Sequence, residues 1–100
     1  MHIISLRALR TFLGKHTKAE SPMRYWFTLV EQTIFEDFNH VKQVFGSADY
    51  VAPYTIFDVG GNSFRLITVI HYNARKVFTR LVLTHSEYDK WSKKYISGKV

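Results

Sequence analysis

The chain contains no cysteine, two prolines and five glycines in one hundred residues, and only eight acids against fourteen lysines and arginines. The absence of cysteine removes disulfides and thiolate metal sites together. Small secreted domains usually depend on disulfides, so a reducing cytoplasm is the expected compartment. No apolar run is long enough to span a bilayer. The opening Met1-His2-Ile3-Ile4-Ser5-Leu6-Arg7 reaches a charge after a very short apolar stretch, which fits neither a signal peptide nor a membrane span. There is no internal repeat, low-complexity tract or linker, and the length predicts a single domain spanning residues 1–100. The 46% hydrophobic and 16% aromatic content is enough for a real core and argues against disorder.

The formal net charge of +6 is unevenly distributed. Residues 1–30 carry five Lys/Arg against Glu20, and residues 31–58 carry Lys42 against Glu31, Glu36, Asp37, Asp49 and Asp58. Residues 59–100 carry eight Lys/Arg against Glu87 and Asp89. A basic C-terminal half beside an acidic flank is the footprint of a polyanion binder, although a soluble protein of high pI would share it.

Hydrophobic periodicity predicts an α+β chain. His2-Ile3-Ile4 reads as a short strand. Ser5 then caps a helix with Leu6, Leu9, Phe12 and Leu13 on one face, ending at Gly14. Ser21-Pro22 is read as the N-cap and first position of a second helix, with Met23, Trp26, Phe27, Val30 and Ile34 inward. Asp37 caps a third, with Phe38, Val41, Val44 and Phe45 inward, closed by Gly46. From Pro53 the period becomes two, giving strands over Tyr54–Val59, Phe64–Tyr72 and Lys76–Thr84. Gly60-Gly61-Asn62-Ser63 supplies the first hairpin turn and Tyr72–Lys76 the second. Thr84-x-x-Glu87 reads as a capping box opening a last helix to about Tyr95, with Leu83 and Tyr88 at staple positions. Ser97-Gly98-Lys99-Val100 is expected as a loose basic end.

Several residues in this frame can carry chemistry. His85 falls at the first position of the last helix, where the dipole and unpaired N–H groups favour an anion and an imidazole suits acid–base work; it could equally be a solvated helix start. Arg65 and Arg80 interrupt apolar strands, and the guanidinium fork suits phosphate, but each could simply lie over an open sheet face. If Asn73–Lys76 forms a four-residue loop, Tyr72 pairs with Val77 and Arg65 with Thr84, and both arginines share a face. A three-residue loop separates them. Asn62 is a turn residue that could also touch RNA. Tyr88 reads as packing before catalysis, and Asp89 as a first-turn acid or an orienting group for His85. Lys90, Lys93 and Lys94 form a solvated face that would attract RNA. His2, His16, His40 and His71 lack metal-ligand spacing, and no nucleotide-type glycine loop is present, so neither metal nor cofactor is expected.

Phe57-x-Val59-Gly60-Gly61-Asn62-x-x-Arg65-Leu66, followed by Arg80 and Thr84-His85-x-Glu87-Tyr88-Asp89, resembles the central and C-terminal blocks of the HigB-type toxins, a branch of the RelE-like superfamily. His2-Ile3-Ile4-Ser5 with Ala8-Leu9 resembles the start of that family. The resemblance implies a RelE-like fold, with helices on one face of a small antiparallel sheet and the other face offered to mRNA. It also implies a metal-independent endoribonuclease acting on the ribosome and neutralised by a HigA-type helix-turn-helix antitoxin. On that reading His85, Arg65, Arg80, Tyr88 and Asp89 are the catalytic candidates, and Asn62, Lys90, Lys93 and Lys94 contact RNA. A non-catalytic RNA- or protein-binding relative, and a ParE-like gyrase poison, would display a similar frame.

Overall fold

The computed structural model describes residues 1–4, 6–61 and 63–96. Ser5, Asn62 and Ser97-Gly98-Lys99-Val100 lie outside the described residues, as do the side chains of Leu6, Ala8, Leu9, Leu13 and Ile96. The chain runs β1 (His2–Ile4), α1 (Leu6–Lys15), a 3-10 turn (Thr17–Ala19), α2 (Glu20–Gln32) and α3 (Phe38–Val44). It continues through β2 (Asp49–Val51), β3 (Tyr54–Val59), β4 (Phe64–His71), β5 (Lys76–Thr84) and α4 (His85–Ile96). This is the expected α+β order, with the short strand β2 added.

The strands form one sheet in the order β1-β5-β4-β3-β2, with β1 parallel to β5 and the other pairs antiparallel. Alternation sends Phe57, Val59, Leu66 and Val77 to one face. There they pack with Met23, Trp26 and Val30 of α2, Val41 of α3, Phe12 of α1 and Ile3 of β1. Ile56 and Ile67 are cross-strand partners pointing the other way, and they are equally buried, 1% and 0% exposed. That second face is therefore covered too. Tyr54 packs edge-on against Trp91 and Tyr95 of α4, and the Tyr95 hydroxyl donates to the Ala52 carbonyl. The expectation of helices on one face alone thus holds for α1 to α3, while α4 lies against the other side.

Two helix boundaries differ from those the sequence predicts. Helix α2 begins at Glu20 with Ala19 at its N-cap, and no side chain caps it, so Ser21 is not the cap. The 3-10 turn, closed by Ala19 N–H to His16 O at 2.9 Å, brings the chain in one turn earlier and buries Ala19 completely. Pro22 then falls at the third helical position, still within the first turn, where no intrahelical N–H bond is lost. Because α2 ends at Gln32, Ile34 leaves the helical face and is 53% exposed, while Phe35 takes the interior place. Asp37 does cap α3, accepting from His40 N–H at 2.9 Å. Val44, expected inward on α3, is 39% exposed.

The β4–β5 register decides where the arginines stand. The connecting loop has four residues, Tyr72–Arg75, so His71 pairs with Lys76, where the expected register would have put Phe78 opposite it. Between Ile67 and Thr68 the pairing shifts: Thr68 faces Thr79 whereas Ile67 faces Leu81. Arg80 is the extra residue of this β-bulge, and Arg65 pairs with Leu83 instead of Thr84. The first hairpin has the geometry its glycines permit, with φ of 67° at Gly60 and 65° at Gly61.

Candidate active site

The site gathers where β3, β4 and the start of α4 meet. Asp58 and Arg65 are cross-strand partners, so both side chains emerge on the α4 face of the sheet. Arg65 is only 7% exposed. Its Nε lies 3.0 Å from Asp58 Oδ1, and Nη1 donates to its neighbour's carbonyl, Phe64 O, at 3.2 Å. Nη2 sits 3.2 Å from Nδ1 of His85. The guanidinium carbon stands 5.6 Å from the centre of the Tyr88 ring, a cation–π arrangement. One buried cation therefore joins the hairpin to the first turn of α4.

That first turn is fixed by its own chemistry. Thr84 and Glu87 form the expected capping box, with Thr84 N–H donating to Glu87 Oε1 at 2.8 Å and Glu87 N–H donating to Thr84 Oγ1 at 3.3 Å. His85 N–H donates to Ser63 O at 3.1 Å, tying α4 to the β3–β4 turn. The bond from Thr84 N–H holds the Glu87 carboxyl below the ordinary glutamate value, assisted by the charges of His16 and Lys15. A depressed carboxylate stabilises the fold in full above its unfolded value, and that contribution is lost as pH falls through the lowered one. Glu87→Ala, which removes the carboxylate while Thr84 keeps its N–H and hydroxyl, is expected to cost about 0.5–1 kcal/mol of stability at neutral pH. The deficit should shrink in acid, which urea unfolding at several pH values will measure; a deficit that grows in acid would contradict the capping role.

His85 has one ring nitrogen toward Arg65 and the other toward solvent and Asp89. Because arginine only donates, Nδ1 must accept, leaving the mobile proton on Nε2. Nε2 is 3.5 Å from Asp89 Oδ2, with both side chains more than half exposed. This is a half-open acid–base group held from behind by a buried cation and flanked by a carboxylate. Tyr88 lies between: burial, the largest cause, pushes its hydroxyl above the ordinary tyrosine value, so it stays protonated and able to donate. Its ring also stacks on Trp91 at 5.9 Å.

The structure thus brings Arg65, His85, Tyr88 and Asp89 together and adds Asp58, which sequence reasoning counted only within an acidic flank. A four-residue turn over 60–63 would have placed Asp58 opposite Arg65, so the signal was present. Arg80 is not brought into this group. It is exposed, its guanidinium carbon stands 5.1 Å from the Phe78 ring centre, and it lines a groove on the α1 side of β5. Lys90, Lys93 and Lys94 are exposed on α4. Helical spacing puts Lys93 on the flank of His85 and Asp89, while Lys90 and Lys94 lie on the side of Glu87. Among the described residues, no group of three or more His, Cys, Asp or Glu could hold a metal ion. No helix among them is long and apolar enough to cross a membrane.

The fold and this site define a small α+β domain with a half-exposed histidine braced by a buried arginine, and comparison with known proteins gives its family. Residues 19–91 match the model of the HigB toxin family, described as the RelE-like toxic component of a toxin–antitoxin system. The chain is 29% identical over 92 residues to the mRNA interferase toxin HigB of Escherichia coli K12, covering 89% of this chain and 88% of that protein. The mRNA interferase HigB of Shigella flexneri matches to the same extent. That of Escherichia coli O6:H1 is 26% identical over 102 residues, covering 99% of each chain. The chain belongs to the HigB toxin family, whose members are toxic components of toxin–antitoxin systems.

Proposed function

We propose that this chain acts as one toxin domain in the cytoplasm, an endoribonuclease that cleaves mRNA on the translating ribosome without a metal ion and is neutralised by a HigA-type helix-turn-helix antitoxin. The observation that carries the reading is the Asp58–Arg65–His85–Asp89 chain, which ends in a half-exposed imidazole at the start of a helix. The matched relatives named mRNA interferases supply the substrate class.

The reaction needs three things. A base takes the proton of a ribose 2′-OH so that the oxygen attacks the adjacent phosphorus. Cations stabilise the charge that builds on the phosphate, and an acid returns a proton to the departing 5′-oxygen, leaving a 2′,3′-cyclic phosphate. His85 Nε2 is the exposed proton-carrying group and fills an acid–base role. Asp89 orients it, and Tyr88 is suited to donating a hydrogen bond. Arg65 positions His85 and lends positive field, while Arg80, Lys90, Lys93, Lys94 and Asn62 are assigned to phosphate and RNA contacts.

Primer-extension mapping of cellular mRNA after induction tests the reading. Cuts at fixed positions within codons, suppressed by co-expressed antitoxin, are the expected result. Intact transcripts with damaged DNA would instead indicate a gyrase poison. Intact RNA and DNA would indicate a non-catalytic binding module.

A further inference from the structure

Away from the His85 cluster lies an open groove of about 470 Å³ between α1, the outer edge of β5 and the first turn of α4. It exists because β1 is short. Among the described residues β1 pairs with Lys76, Val77 and Phe78 only, so from Arg80 onward the edge of β5 faces α1 instead of a strand. The groove is lined by Arg7 and Lys15 from α1, His16 just beyond it, the bulged Arg80, and Glu87. Arg7 and Lys15 lie two helical turns apart on one side of α1, facing Arg80 across the groove. His16 is built into the wall: its ring stacks on Phe12 at 4.4 Å and meets Phe64 edge-on at 5.9 Å.

The groove is strongly positive. Among the described residues, Arg7, Lys15 and Arg80 form no ion pair, and the single carboxylate of the lining, Glu87, whose charge is felt by Lys15 and His16, offsets only part of theirs. Glu87 stands two residues from His85, on the opposite flank of the same helix turn. The groove and the His85 cluster therefore adjoin across the N-terminal turn of α4. A surplus of cations lining a channel beside an acid–base group matches the repeating charge of a phosphodiester strand.

We propose that this groove is a second RNA-binding subsite, in which Arg7, Lys15 and Arg80 hold backbone phosphates of the strand beyond the scissile bond. The proposal rests on the endoribonuclease reading. It makes α1 part of the substrate surface, so RNA would cross the start of α4 and not lie on the sheet face alone. The subsite strengthens binding of a long strand and leaves the chemical step unchanged.

The test uses the double variant R7A/K15A, both positions being exposed, with melting temperature as the control for folding. A second variant, R75N/K76A, removes the same charge at the far end of β5; Asn is chosen because residue 75 has φ 56°. Binding is followed by fluorescence anisotropy with a 2′-O-methylated ten-nucleotide RNA, which cannot be cleaved. R7A/K15A is expected to bind about tenfold more weakly near 0.1 M salt, with its salt slope reduced by about 0.7 for each phosphate no longer neutralised. R75N/K76A should stay close to the parent. In cleavage assays with translating ribosomes R7A/K15A should raise KM for mRNA with kcat unchanged. Equal binding by R7A/K15A and the parent, or an equal loss in R75N/K76A, overturns the subsite while leaving the endoribonuclease reading intact. A parent protein that does not bind the RNA and cuts no mRNA even with translating ribosomes supplied overturns both.

Discussion

His85→Ala is expected to lower single-turnover RNA cleavage by about 10²–10⁴-fold, the usual contribution of a positioned acid–base group, and to abolish growth arrest. The fold should hardly change. The imidazole is 54% exposed, and its main structural bond is made by its backbone N–H to Ser63 O, which alanine keeps. Equal melting temperatures together with lost cleavage would therefore locate the effect in chemistry. Asp89→Asn should give a smaller loss, because the 3.5 Å contact with Nε2 orients the ring and does not itself carry the reaction. Full toxicity of the His85→Ala protein would remove this residue from the mechanism.

Arg65→Ala should damage stability and activity together. Its guanidinium is the buried partner of Asp58, contacts His85 and lies against Tyr88, so its loss leaves a carboxylate unpaired between two strands. Removing one member of a buried pair costs about 3–5 kcal/mol; with the Asp58 side chain 22% exposed, water recovers part of that and about 2–3 kcal/mol is expected. Against a typical total of about 5–15 kcal/mol, this would be seen plainly in urea unfolding. The conservative Arg65→Lys separates the two roles. An ammonium can still pair with Asp58, but it has no planar fork to reach His85 at the same time. Arg65→Lys should therefore recover most of the stability and little of the cleavage. A fully active Arg65→Lys protein would show that the Arg65–His85 contact positions nothing.

Much of the site was legible because its signals are local. The capping box is a four-residue pattern whose two bonds need only each other, so it predicted both the start of α4 and the place of His85. The Asp37 cap and the Gly60-Gly61 turn were legible for the same reason. The α2 boundary was less so. Ser21-Pro22 is a sound start signal, but burial of Ala19 in the preceding turn outweighed it. Ile34 and Phe35 changed places because only the folded chain fixes where the α2 helix stops.

What the sequence determined by itself is the α+β order, the three long strands, the uneven charge and the motif blocks characteristic of the HigB family. All of these follow from periodicity, turn chemistry or composition over a few neighbouring residues. The tertiary structure alone decided that Arg65 and Arg80 part company. A single bulge at Arg80 shifts the β4–β5 register by one, so Arg65 goes beneath α4 as a buried brace for His85 while Arg80 lines the groove beside α1. Pairing between strands depends on contacts distant in sequence, and a shift of one residue changes which side chains meet.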